Sequence, residues 1–112
     1  MQYIENGDSL STRSADYARA LKSLQEELEA ISYYQQRADN TADPELKSIV
    51  EHNRDEEIEH SCMLIEWLRR NMPGWDATLK TYLFTSAPLT EVEAGGSGAD
   101  SSGGDLSIRG MK

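Results

Sequence analysis

Glu57 and His60 stand three residues apart in a stretch that otherwise reads as the apolar seam of a helix. The seam is Leu46, Val50, Asn53, Glu57, His60, Leu64 and Trp67, in alternating steps of four and three. That is the spacing of residues that face a neighbouring helix. Apolar side chains hold both ends, while an amide, a carboxylate and an imidazole hold the middle. Burying a lone carboxylate costs several kcal/mol, so such groups are paired or bind a cation. A carboxylate and an imidazole one helical turn apart can hold the same ion. Oxygen and nitrogen donors without thiolates suit iron, manganese or zinc rather than copper(I).

Glu-x-x-His on an inward helix face is also the repeated ligand unit of di-iron carboxylate bundles. An earlier stretch supplies Glu27, next to a seam of its own at Tyr17, Leu21, Leu24, Leu28 and Ile31. Tyr34 lies two turns beyond Glu27 on the same face. One chain therefore offers one Glu and one Glu-x-x-His, half of what such a site needs. The expected remedy is a second copy, giving a symmetric dimer with the metal ions at or near its two-fold axis. Two readings compete with it. One makes Glu57 and His60 a buried polar pair that fixes helix register in an adaptor protein. The other keeps the bundle and changes the metal or the chemistry.

These residues need two long helices to position them. The first is expected from about Ser14 to Arg37, followed by a turn over Ala38–Asp43. Asp43-Pro44 reads as an N-cap with proline at the first helical position. The second helix then runs from Pro44 to about Asn71, where Pro73-Gly74 stops it. Each would be roughly 35–40 Å long, which predicts an antiparallel hairpin. Trp75 to Phe84 reads as a shorter third helix. The hairpin leaves apolar strips uncovered, so two hairpins are expected to pair into a four-helix bundle. The fold class is thus all-α, a two-helix hairpin plus a short third helix that dimerises.

The net charge is −9, and residues 26–66, with twelve acidic and three basic side chains, account for it. This argues against nucleic acid and anionic membranes as partners, and it surrounds Glu57 and His60 with a field that attracts cations. Cys62 is the only cysteine, so neither a disulfide nor a thiolate cluster is expected within the chain. It reads as a small buried hydrophobe, and Tyr33, Met63, Trp67 and Trp75 as packing residues. His52, Glu56 and Glu59 read as surface residues. Nothing at the start resembles a secretory signal and no stretch is long enough to span a membrane, which fits a cytoplasmic protein. The expected organisation is a flexible N-terminus over 1–13, a helical domain over 14–90, a Gly/Ser-rich linker over 91–104 and a short docking peptide over 105–112.

Taken together, these residues resemble a known family, the encapsulated ferritins. Glu26-Glu27-Leu28-Glu29-Ala30 with Tyr33-Tyr34 is similar to its first-helix signature, and His52-Asn53-Arg54-Asp55-Glu56-Glu57-Ile58-Glu59-His60 to its second. Glu66-Trp67-Leu68-Arg69-Arg70-Asn71 and Thr81-Tyr82-Leu83-Phe84-Thr85 extend the likeness. The tail Gly104-Asp105-Leu106-Ser107-Ile108-Arg109 resembles the peptide that addresses cargo to encapsulin nanocompartments. The resemblance implies a ferritin-like bundle assembled through dimers into a ring-shaped decamer. It implies a ferroxidase that oxidises Fe(II) to Fe(III) at a di-iron site between subunits, with storage in the encapsulin shell. Glu27, Glu57 and His60 would be the iron ligands, Glu57 the bridging one, with Tyr34 in or near the coordination shell. Glu26 and Glu29 would form an acidic entry site. Tyr33 departs from the family pattern, since some relatives have tryptophan there; this touches local packing and not the ligands.

Overall fold

Two caps set the long helices in place. In the computed structural model, which describes residues 5–95, helix α1 spans Thr12–Asn40 and helix α2 spans Pro44–Asn71. The Ser11 hydroxyl accepts the Ser14 N–H at 3.0 Å and opens α1. The Asp43 carboxylate accepts the N–H groups of Glu45 and Leu46 at 2.9 and 3.1 Å and opens α2, with Pro44 at its first position. Both arrangements satisfy backbone donors that a helix start otherwise leaves without partners. A short 3₁₀ turn, Gly7–Ser9, precedes α1. Helix α1 runs three residues past the expected end at Arg37 and leaves only Thr41 to Asp43 as the connection. Ala38 is buried in that last turn, and Gln35 Nε2 donates to Asp39 Oδ1 at 3.0 Å across it.

The chain forms two units, Met1–Leu68 and Arg69–Lys112, with the boundary inside α2. In the first unit α1 and α2 pack antiparallel. Tyr17 meets Trp67 edge-on with ring centres 6.4 Å apart, Glu27 meets His60, and Arg54 Nη1 donates to Gln35 Oε1 at 2.9 Å. The partners thus run in opposite order along the two helices.

The line along which the helices meet keeps Leu24 and Val50 of the expected seams but departs from them elsewhere by one position, at Ala20 for Leu21, Ser61 for His60 and Leu68 for Trp67. Ala20, Leu24 and Ala38 are buried on α1, and Val50, Ser61 and Leu68 on α2. Leu21 and Leu28, assigned to the seam from sequence, are exposed, Leu28 by 51%. Small side chains explain the departure: Ala20 and Ser61 let the backbones approach where a larger side chain would hold them apart. The buried Ser61 hydroxyl is satisfied by donating to the Glu57 carbonyl at 2.9 Å, one turn back.

In the second unit α3 spans Trp75–Tyr82 and α4 spans Leu89–Glu93. Gly74 precedes α3 with φ 102, a backbone conformation that favours glycine. Asp76, in the first turn of α3, pairs with Arg69 and Lys80. The third helix ends at Tyr82, two residues before the expected limit, because Leu83 turns to extended backbone. Helix α4 was not anticipated from the sequence. Among the described residues there is no strand, and no helix is long and apolar enough to cross a membrane. The peptide expected over 105–112, and all but the start of the linker over 91–104, lie outside the described residues.

Candidate metal centre

Glu27 comes from the middle of α1 and Glu57 and His60 from the middle of α2. Glu57 lies close to the line on which the helices meet, four residues before buried Ser61. His60 is one position off that line, and its side chain is 47% exposed. The three bring one ligand atom each to within 4.8 Å of one another, and no other group of three His, Cys, Asp or Glu does so among the described residues. His60 Nδ1 is 3.2 Å from Glu57 Oε1 and 3.7 Å from Glu27 Oε1.

The electrostatics of the cluster follow from this crowding. The Glu27 carboxyl is raised above its ordinary value, first by its hydrogen bond to Glu57 and then by burial beside that second carboxylate. The same hydrogen bond lowers Glu57, helped by His60. Of the two adjacent carboxyl groups, the shared hydrogen bond thus favours protonation of Glu27 over Glu57. His60 is raised, first by its hydrogen bond to Glu57 and then by both negative charges. Two carboxylates and an imidazole are a donor set for a divalent or trivalent ion of the first transition row.

The other sequence-derived positions make separate contacts on the two helices. Tyr34 is half-buried, and the Arg37 guanidinium lies 5.5 Å from its ring centre and 5.9 Å from that of Tyr33. Glu26 and Glu29 are exposed on α1, on either side of the half-buried Glu27 and the exposed Leu28. His52 is exposed and pairs with Glu56 at 3.4 Å. Three packing expectations fail. Cys62 and Met63 are exposed, lying off the line on which the helices meet, and Tyr33 is exposed and covered on one face by Arg37. Sequence reasoning missed Ser61, whose bond to the Glu57 carbonyl ties the backbone that carries the ligand. A small polar residue at i+4 from Glu57 was the available signal. It also missed the Arg54–Gln35 bond that joins the helices beyond the site.

The fold and the donor set define a helical-hairpin protein with a Glu/Glu/His cluster of metal-ligand type. Comparison with known proteins places that class. The EncFtn-like family model matches residues 2–86. A "Ferritin-like protein" of Thermotoga maritima is 55% identical over 109 residues, 96% of each chain. An "Encapsulated ferritin-like protein" of Rhodospirillum rubrum is 50% identical over 96 residues, 86% of this chain and 69% of that one. The crystal structure of protein ne0167 from Nitrosomonas europaea superposes with a TM-score of 0.77 at 50% identity, covering 80% of this chain and 98% of that one. The chain belongs to the EncFtn-like family of encapsulated ferritins, and its function is ferritin-like and concerned with iron.

Proposed function

We propose that the chain is a ferroxidase whose di-iron site forms between two copies. The observation that carries this reading is the convergence of Glu27, Glu57 and His60, with His60 directed out of the hairpin rather than into it. On α2, Leu46, Ile49, His60 and Met63 fall on one stripe at helical spacing, and all four are exposed. A second copy laid on that stripe would cover its apolar members and bring a second Glu27, Glu57 and His60 to the first. Six donors about a two-fold axis then hold two iron ions, with Glu57 bridging and Tyr34 within reach of the shell. Iron is the substrate here. Each of two Fe(II) ions gives up one electron. Dioxygen takes both electrons with two protons and leaves as hydrogen peroxide. Anionic oxygen donors favour Fe(III) over Fe(II) and so make the electron loss favourable. The protein supplies the donors and their spacing, and the redox chemistry is that of iron.

The wider assembly belongs to the same proposal. Paired subunits associate into a ring, a decamer, with Glu26 and Glu29 collecting Fe(II) at its approach. Residues 14–90 are the bulk of the helical domain, which α1 extends back to Thr12 and α4 forward to Glu93, and the Gly/Ser-rich sequence after it serves as a tether. Residues 105–112 dock to the encapsulin shell, inside which the Fe(III) product accumulates as mineral in the cytoplasm. The family match and the encapsulated relative support this reading. Glu57→Ala and His60→Ala chains should lose iron-dependent dioxygen uptake while keeping wild-type helix content by circular dichroism. Wild-type uptake in either variant would exclude the assignment.

A further inference from the structure

Ser61 is the only buried polar residue among those described, with 4% of its surface exposed. It lies between the two long helices at the height of the metal cluster, one position past His60 and one turn past Glu57. The antiparallel pairs Glu27–His60 and Tyr17–Trp67 fix what faces it. Moving from His60 toward Trp67 on α2 means moving from Glu27 toward Tyr17 on α1. Leu24, one turn before Glu27 and itself buried, is therefore the residue of the α1 line that lies within a helical turn of Ser61 in height.

Serine is costly at a buried helix position. It forms helix less readily than alanine or leucine, and its hydroxyl needs a partner once it leaves water. Here the hydroxyl donates to the Glu57 carbonyl at 2.9 Å, so its proton goes to the backbone and not to a ligand atom. A leucine would bury more apolar surface, as Leu68 does two turns further along the same line. What serine supplies instead is small volume. The distance between packed helices varies over about 8–10 Å with the side chains at the contact. The donor atoms of Glu27, Glu57 and His60 lie within 4.8 Å of one another. Glu57 and His60 share a helix, so their spacing does not depend on how α1 approaches. Glu27 comes from α1, and its distance to the other two does.

We propose that Ser61, through its small volume, holds α1 and α2 close enough for Glu27 to share an ion with Glu57 and His60, and so sets the size of cation the centre accepts. Ser61 is a positioning residue: it acts through Glu27 and supplies no donor of its own. The inference rests on the metal-centre reading given under the proposed function. Oxygen and nitrogen donors stand about 2.0–2.2 Å from an ion such as Zn(II), so a small ion tolerates little widening of the donor set. A larger ion reaches further and loses less when Glu27 draws back.

Calorimetric titration with Zn(II) and with the larger Cd(II), both redox-quiet, tests it on full chains carrying Ser61, Ser61→Ala or Ser61→Leu. Each chain also carries Cys62→Ser, which removes an exposed thiol that competes for both ions. Ser61→Ala keeps the small volume and should bind Zn(II) as the parent does. Ser61→Leu should lose about 10-fold or more in Zn(II) affinity and less in Cd(II) affinity, with helix content by circular dichroism unchanged. A chain that is merely destabilised would lose both ions in equal proportion. That result would overturn the proposal, as would parental affinities in Ser61→Leu or a loss in Ser61→Ala as large as in Ser61→Leu. Should Ser61→Leu fail to fold, Ser61→Thr keeps the hydroxyl and adds one methyl group, a change that a close-packed interior still registers. Its preference should move the same way, toward Cd(II), and an unchanged Zn(II)-to-Cd(II) ratio would overturn the proposal. Failure of the metal-centre reading shows separately, as parental Zn(II) affinity in Glu57→Ala, and the inference would fall with it.

Discussion

The protonation of the free site makes cation binding pH-dependent in a way that Glu57 controls. His60 carries a proton more readily than an ordinary histidine, because Glu57 Oε1 lies 3.2 Å from its Nδ1 and Glu27 Oε1 lies 3.7 Å away. A metal ion needs the neutral imidazole, so each His60 that binds must release that proton. The sign follows directly. Below the raised value of His60, protons compete and affinity falls as pH falls; above it, the imidazole is already free and affinity levels off. One proton per half-site gives a slope of about one logarithmic unit of affinity per pH unit on the acid limb. The break should lie above 6.5, the ordinary value for histidine.

The measurement is anaerobic titration of the wild-type chain with Mn(II), a redox-quiet stand-in for Fe(II), across the neutral range, read calorimetrically in buffers of different ionisation heat. Proton release then follows from the heats themselves. In parallel, the His60 ring signal is titrated by NMR in metal-free wild-type and Glu57→Gln chains. Removing the Glu57 charge removes the largest cause of the His60 rise, so its titration should move to lower pH. A wild-type break at or below 6.5, affinity independent of pH, or a Glu57→Gln shift to higher pH would refute the reasoning.

Two further outcomes are expected. Met63 is 58% exposed and shares a stripe with His60. Met63→Lys should leave the helices intact by circular dichroism yet abolish pairing in sedimentation and depress dioxygen uptake, although all three ligands remain; a paired, fully active variant would count against a shared site. Asp43 caps two N–H groups at the start of α2. Asp43→Ala should cost about 1 kcal/mol, measured as a lower urea midpoint at fixed protein concentration, and an unchanged midpoint would show that the cap carries no stability.

The helices were legible where local chemistry is decisive. Asp43-Pro44 at one end of α2 and Pro73-Gly74 at the other fix their positions with few alternatives, because a cap, a proline and a glycine each act within one turn. The three residues of the metal cluster were legible because a carboxylate and an imidazole violate an apolar repeat. What sequence could not reveal was which of two adjacent helix lines the hairpin would bury. A repeat of alternating four and three is nearly satisfied by either line, since 3.6 residues per turn does not lock to a 3.5-residue repeat. Hydrophobicity alone favoured Leu21 and Leu28; close approach favoured Ala20 and Ser61. The tie is broken by side-chain volume against a neighbour, which is a property of the packed pair and not of either strip.

That one-position shift changes what the site is. Were Glu57 and His60 both on the buried line, the hairpin would enclose them, and a polar pair fixing register would be an adequate account. Instead Glu57 lies by the line and His60 beside it, so the donors converge at the rim of the hairpin and open outward. A register-fixing pair gains nothing from an imidazole half in solvent, where a surface ion pair contributes little. A cation centre gains an open side through which further ligands can approach. The exposed apolar residues on the stripe of His60 say what could bring them: a surface of the same kind, carrying the same three donors. The mismatch between the expected and the observed seam thus favours the shared site over the register pair, and it does so on geometry that the amino-acid pattern alone did not contain.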